Sequence, residues 1–231
     1  MNKCLICQNN INEVIDLLNL FSKQSIICEQ CANQLTFNHQ TRRCKKCLKI
    51  MSEEEETCLD CQWLSNKYPL INQLYTLYDY DDLVKSLIHQ YKLNGDVALN
   101  QVFQLPLKLF KQYDKQYDYV IPAPIHPNKL EQRTFDHVTT VLDNHKIKYI
   151  QVFETEERKK QSELTKIERS SQQNPFKINK DIDLENKRIL LVDDIYTTGL
   201  TIHRLAEPLF VRKIRKIDAL TFARAVNNDK I

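Results

Sequence analysis

The sequence predicts an α/β protein, a mostly parallel sheet preceded by a small Cys-rich, zinc-binding domain. Three observations carry this reading. All eight cysteines fall within the first 61 residues, as four CxxC pairs. Beyond them, short strand-like apolar runs alternate with amphipathic helical ones, the pattern of a sheet with helices on both faces. One such run, Arg188 to Val192, ends in two adjacent aspartates followed by a Thr-Thr-Gly turn.

Composition bounds the rest. A chain of 231 residues, 42% hydrophobic and 27% charged, suits a small domain joined to a larger one. The boundary is expected near Trp63 to Pro69, giving a Cys-rich domain over 1–66 and an α/β domain over 67–231. No apolar run approaches the roughly 18 residues needed to cross a bilayer. The N-terminus, MNKCLICQNN, has no apolar secretory region. The expectation is a cytoplasmic protein with no membrane span. Two glycines are too few for a Rossmann GxGxxG or a Walker P-loop. A net charge of +3 does not by itself argue for nucleic acid.

The pairs are Cys4/Cys7, Cys28/Cys31, Cys44/Cys47 and Cys58/Cys61. A CxxC turn aims two thiolates at one metal, and two turns complete a tetrahedron. Two structural zinc ions are therefore expected. Disulfides fit less well, because nothing indicates export to an oxidising compartment. Closed Cys4 sites leave no coordination position open for catalysis. Sequential and cross-braced pairings use the same residues and stay open. Metal binding would supply folding energy that so small a block cannot draw from a core. The apolar stretch Val14 to Phe21 reads as a helix packed on the metal site, and Glu53 to Glu56 as a solvated loop.

Leu74 to Tyr80 reads as a strand. Asp81 to Leu93 reads as a helix with Leu83, Val84, Leu87, Ile88 and Tyr91 on one face, stopped by Gly95. Val97 to Tyr113 looks helical but broken at Pro106. Tyr117 to Ile121 is a strand running into the loop PAPIHPNKLEQR. Phe135 to Leu142 is a helix, Ile147 to Phe153 a strand, and Glu157 to Asn174 an exposed helix or loop. Arg188 to Val192 and Ile214 to Phe222 are the last strands, with a helix carrying Ile202, Leu205, Leu209 and Phe210 between them.

The segment Arg188 to Thr201, RILLVDDIYTTGLT, carries the chemistry. A strand delivers two carboxylates to its carboxyl end, where ligands bind in such sheets. Hydroxyls and a Gly at a helix start make a phosphate cradle. An ordinary strand–turn–helix with Thr caps uses the same residue types. The order of residues resembles the phosphoribosyl pyrophosphate (PRPP) signature of type I phosphoribosyltransferases. Asp193-Asp194 match its acidic pair, and Thr197-Thr198-Gly199-Leu200-Thr201 its turn.

Nearly the whole chain resembles the ComF competence proteins of the ComFC type, a zinc module fused to a phosphoribosyltransferase-like domain. Beside the CxxC pairs, Tyr78, Tyr80, Lys92, Gly95 and Asp96 resemble the family's Y-x-Y…K-x-x-G-D stretch. Val120 to Pro124 resembles its VPVP loop, and Arg158, Gln161, Leu164 and Arg169 its R…Q-x-x-L…R hood. Two departures stand out. Arg133-Thr134-Phe135-Asp136 replaces R-G-F-N, and Gln172 replaces an Asn after Arg169.

The resemblance implies a PRPP site made by Asp193, Asp194, Tyr196, Thr197, Thr198, Gly199 and Thr201. The aspartates would engage ribose hydroxyls, and Mg2+ would bridge ribose and pyrophosphate oxygens. Pro122, Pro124, Lys129 and Arg133 would form the pyrophosphate loop, flanked by His126 and His137. It also implies a role in natural transformation, handling incoming single-stranded DNA, with a competence helicase or recombination mediator as a further partner. Arg158, Lys159, Lys160 and Arg169 would contact the DNA backbone. Arg212, Lys213, Arg215, Lys216 and Arg224 form a second basic cluster, with Tyr residues or Trp63 for stacking. Interleaved glutamates fit a solvated surface instead. Two other readings are a working phosphoribosyltransferase with an unidentified acceptor, and an adaptor whose zinc module docks on a partner beside a vestigial pocket.

Overall fold

The computed structural model describes residues 2–11, 24–51, 57–105, 116–155, 174–178 and 182–225. Its centre is a four-stranded sheet, all pairings parallel, in the order β1-β6-β5-β2. The strands are β1 (Leu74–Tyr80), β2 (Tyr119–Pro122), β5 (Arg188–Tyr196) and β6 (Lys216–Ala225). A separate antiparallel pair joins β3 (Phe153–Thr155) to β4 (Phe176–Ile178). The helices are α1 (Glu29–Gln34), α2 (Leu59–Ser65), α3 (Asp82–Leu93), α4 (Pro127–Arg133), α5 (His137–Asn144) and α6 (Leu200–Val211), with a 3-10 turn over Val97–Val102.

Alternation along β5 divides the core in two. Ile189 and Leu191 pack with Ile202, Leu205 and Leu209 of α6. Leu190 and Val192 pack with Val84, Leu87 and Ile88 of α3 and Val138, Val141 and Leu142 of α5. The central strands are therefore covered on both faces, which explains their near-continuous buried runs.

The Cys-rich block divides too. Cys44, Cys47, Cys58 and Cys61 lie in the same buried cluster as Ile71, Leu74, Ile217 and Ala219. Leu5, Ile6, Ile27 and Leu35, around the first pairs, pack instead on the α3/α5 core. Between them the block covers β1, the edge strand. The Asp79 amide donates to the Thr36 carbonyl at 3.0 Å and the Leu74 amide to Lys46 at 2.9 Å. Arg43 pairs with Asp79 at 2.8 Å. Pairing of this kind protects an otherwise open edge.

Several expected elements change. The loop after β2 contains α4, which Pro127 begins and the His126 ring caps by accepting the Asn128 amide at 3.3 Å. Phe135 stays outside α5, because Asp136 is its N-cap and accepts from the Val138 and Thr139 amides. Ile147 to Val152 is not a strand. Its Ile150 amide reaches the Val120 carbonyl at 3.0 Å, but no ladder follows, and the short strand begins only at Phe153. β5 runs on through Tyr196, so the acidic pair lies inside the strand, Asp193 in register with Thr221. The stretches Val14 to Phe21, Glu53 to Glu56 and the family hood from Arg158 to Arg169 with Gln172 lie outside the described residues. Among the described residues, no helix is long and apolar enough to cross a membrane.

Candidate functional site

The carboxyl end of the sheet gathers a polar cluster from four elements. β5 brings Asp193 and Asp194, the last turn of α3 brings Lys92, the end of α4 brings Arg133, and the start of α5 brings His137. The Lys92 ammonium pairs with Asp194 Oδ2. His137 Nε2 lies 2.7 Å from the same oxygen. Arg133 Nη1 lies 3.3 Å from His137 Nδ1. A guanidinium only donates. His137 Nδ1 therefore accepts, and Nε2–H donates to the carboxylate.

The electrostatics separate the two acids. Burial, with the Asp194 charge beside it, pushes the Asp193 carboxyl up to about 7. Burial acts on Asp194 in the same direction, but the His137 hydrogen bond and the Lys92 charge outweigh it and hold that carboxyl below its ordinary range. Desolvation and the Asp194 charge raise the nearby Tyr80 phenol. Neighbouring carboxylates pushed apart in this way make the cluster a candidate functional site.

The expected cradle follows directly. Thr197 is exposed, Thr198 half-buried, and the Leu200 amide donates to Thr198 Oγ1 at 3.4 Å. Gly199 caps α6 at a φ of +81°, and a Cβ there would overlap the Tyr196 hydroxyl. Only Gly fits this position. The turn thus opens α6 with backbone amides at a helix N-terminus, an arrangement suited to an anion. Thr201 is exposed on the first turn of α6. Tyr196 is 2% exposed and supports the turn from behind.

The other expected residues spread out. Pro122 ends β2 in register with Val192, and Pro124 follows half-buried. Arg133 reaches the cluster through His137, while Lys129 is exposed on α4. His126 is a loop cap, not part of the cluster. The Thr134 and Asp136 departures have local roles. Thr134 ends α4 at a φ of +64°, a left-handed conformation that a Gly would adopt without strain. Asp136 spends its carboxylate on two backbone amides.

The second basic cluster loses Arg224, while Arg212, Lys213 and Arg215 are exposed. Arg224 is 0% exposed and takes no part in any surface. Lys216, at the start of β6, lies in register with Arg188, at the start of β5. Arg212 to Lys216 therefore sit at the opposite end of the sheet from Asp194, roughly 20 Å away at about 3.3 Å per residue. A single strand would have to run the length of the sheet, several nucleotides, to meet both these residues and the pocket cations. Arg158, Lys159, Lys160 and Arg169 lie outside the described residues.

The cysteines resolve into sequential groups, Cys4/Cys7/Cys28/Cys31 and Cys44/Cys47/Cys58/Cys61, with each group's sulfurs within 4.8 Å of one another. The eight are free thiols. Both first turns share one geometry. The Gln8 and Leu48 amides donate to the Cys4 and Cys44 carbonyls at 2.9 Å, and both residues have positive φ. The Ile6 and Cys28 amides donate to Cys4 Sγ. Four converging sulfurs with amide donors fit a tetrahedral zinc ion.

Sequence reasoning underrated two side chains. His137 was expected only as a flank of the pyrophosphate loop, and Arg224 as a surface cation. A charged residue inside the buried run LTFARA was the available signal for Arg224.

Known proteins resemble this chain along most of its length. A phosphoribosyl transferase domain model matches residues 134–228. The Competence protein ComFC of Streptococcus pneumoniae (strain ATCC BAA-255 / R6) is 30% identical over 212 residues, covering 90% of this chain and 93% of that protein. The protein of the same name from Bacillus subtilis (strain 168) is 24% identical over 236 residues, covering 96% and 95%. A hypoxanthine phosphoribosyltransferase from Staphylococcus aureus aligns over 69% of each chain at 16% identity, with a TM-score of only 0.30. Identity at this level across nine-tenths of both chains means that the chain belongs to the ComFC family of competence proteins.

Proposed function

We propose that this protein handles internalised single-stranded DNA in the cytoplasm during natural transformation, and that its Asp193 to Thr201 site takes PRPP or a chemically related phosphate. The name shared by its relatives supports the competence setting. The observation that carries the pocket is the convergence of Lys92, His137 and Arg133 beside a helix-opening Thr-Thr-Gly turn. The turn would receive a terminal phosphate on its amides and hydroxyls. Asp193 and Asp194 would meet ribose hydroxyls, and Lys92 and Arg133 would face a second anionic group such as pyrophosphate. Mg2+ would enter with the pyrophosphate, keeping most of its waters. Exposed Lys45 and Lys46, beside Cys47, add positive charge for a longer polyanion.

The test is paired. Calorimetric titration of PRPP with Mg2+ into the zinc-loaded protein should give saturable binding that the Asp193→Asn/Asp194→Asn variant loses. Equal affinity in the variant rejects the pocket. Anisotropy of a labelled oligothymidylate should show affinity falling linearly with log salt, because phosphate contacts release counterions. Absence of binding at low salt rejects the DNA role.

A further inference from the structure

We infer that Arg224 makes the second cysteine group part of the phosphate turn, so that metal held by Cys44, Cys47, Cys58 and Cys61 and phosphate held at Thr197 to Thr201 strengthen each other's binding. This rests on the phosphate reading given above.

Arg224 lies near the end of β6, fully buried. Its guanidinium joins two segments of chain. On one side Nε donates to the Cys47 carbonyl at 2.6 Å, and Nη2 lies 3.7 Å from Cys47 Sγ. On the other, Nη1 lies 3.2 Å from the Tyr196 carbonyl and 3.0 Å from the Thr197 carbonyl, sharing its two hydrogens between these and the carbonyl of Ala225, the next residue, at 2.7 Å. The guanidinium carbon also stands 5.0 Å from the centre of the Tyr196 ring. Tyr196 in turn presses its hydroxyl against Gly199, the residue that opens α6.

Each contact transmits position. The guanidinium is planar and its donors keep a fixed fork. A Cys47 carbonyl fixed by a closed metal site therefore fixes the plane of the fork, and with it the Tyr196 and Thr197 carbonyls. Those carbonyls set the direction of the next amides, the ones a phosphate would meet. Charge acts in the same sense. Four thiolates around a divalent cation are net anionic, so the loaded group supplies a counter-charge to a buried guanidinium. Among the described residues the first cysteine group shows no such link. It packs on the other core, and Cys7 is exposed.

Coupling of this kind is reciprocal, because two ligands that favour one arrangement raise each other's affinity by the same factor. A purely structural Arg224 would hold the core together without linking the two equilibria. The readout is therefore zinc affinity, measured by chelator competition on the full chain, with ribose 5-phosphate as the probe. Cys7→Ser weakens the first group and identifies which of the two zinc steps belongs to the second.

Saturating ribose 5-phosphate should raise the zinc affinity of the second group at least about fivefold and leave the first unchanged. Removing the second zinc should weaken ribose 5-phosphate binding by the same factor. In Arg224→Lys a single ammonium cannot span both segments, and both effects should vanish. Zinc affinity unchanged by saturating ligand in the wild type overturns the coupling, whether or not Arg224→Lys folds. Failure of the zinc-loaded wild type to bind ribose 5-phosphate at all overturns the phosphate pocket and this inference together.

Discussion

Lys92 and Asp194 form an ion pair across 102 residues of sequence, tying the last turn of α3 to the acidic end of β5. Both side chains are largely shielded, at 17% and 14% exposure. Replacing Lys92 with Met leaves His137 as the remaining partner of the carboxylate. The expected result is a loss of roughly 1.5–3 kcal/mol in stability, the range for a hydrogen bond to a charged group. PRPP affinity should fall in the same variant, because one of the two cations proposed to face pyrophosphate is gone. Denaturant titration and calorimetry read the two effects separately, and unchanged PRPP affinity would remove Lys92 from the pocket.

Asp193 makes stability depend on pH with a defined sign. Its folded-state carboxyl is raised to about 7, above its unfolded value. The protonated form is thus favoured by folding, and that contribution is complete below the unfolded value. It is lost as pH rises through about 7. Asp194 has the opposite shift, and its contribution is lost only as pH falls into the acid range. Between the ordinary carboxylate range and neutrality, Asp193 therefore contributes a falling slope, opposed by His203, whose burial lowers its value and favours the neutral ring as pH rises. Asp193→Asn still accepts the Asp194 amide through its side-chain oxygen. It should flatten that slope and stabilise the protein in mildly alkaline buffer by roughly 1–3 kcal/mol. Parallel slopes for wild type and variant in denaturant titrations across this window would contradict the assignment.

Gly199 and Tyr196 form a steric pair that a double-mutant cycle can read. Gly199→Ala adds a Cβ against the Tyr196 hydroxyl at a φ of +81°. Backbone strain alone costs about 1–2 kcal/mol, and the overlap adds to it. Tyr196→Phe removes a buried hydroxyl that has no hydrogen-bond partner among the described residues, so it should be close to neutral. In the double variant the Ala should cost less than in the wild-type background only by the hydroxyl's share of the overlap, because ring carbon Cζ stays 2.5 Å from the added Cβ. Strictly additive stabilities would show that the hydroxyl is not what Gly199 accommodates.

Legibility in the sequence followed the range of the interaction. β1 and α3 were readable nearly to the residue, because period and Gly95 stop are local, though Asp81 proves to be the cap and not the first helical residue. Ile147 to Val152 misled because an apolar run becomes a strand only if another strand pairs with it, and that partner is not encoded in the run. The Asp-Asp turn was readable because it is contiguous. The charge around it was not, since Lys92 and His137 come from distant segments. Arg224 was misread because its partners, the carbonyls of Cys47, Tyr196 and Thr197, are backbone groups without a sequence signature.

The two cysteine groups should fail differently. From sequence, loss of Cys44 would be expected to loosen only the Cys-rich block. Packing extends the damage. Cys44, Cys47, Cys58 and Cys61 share a buried cluster with Leu74 of β1, Ile217 and Ala219 of β6, and Leu205 of α6. Cys61→Ser should release the second zinc and also lower the stability of the sheet, by about 2–5 kcal/mol if the loss resembles other buried core lesions. Cys7→Ser, at an exposed ligand, should release the first zinc and leave the sheet's main unfolding transition within about 1 kcal/mol of wild type. Zinc content by atomic absorption, set beside amide exchange of β5 and β6, distinguishes the two cases. Equal protection of those strands in Cys61→Ser and Cys7→Ser would show that the second group is as peripheral as the first.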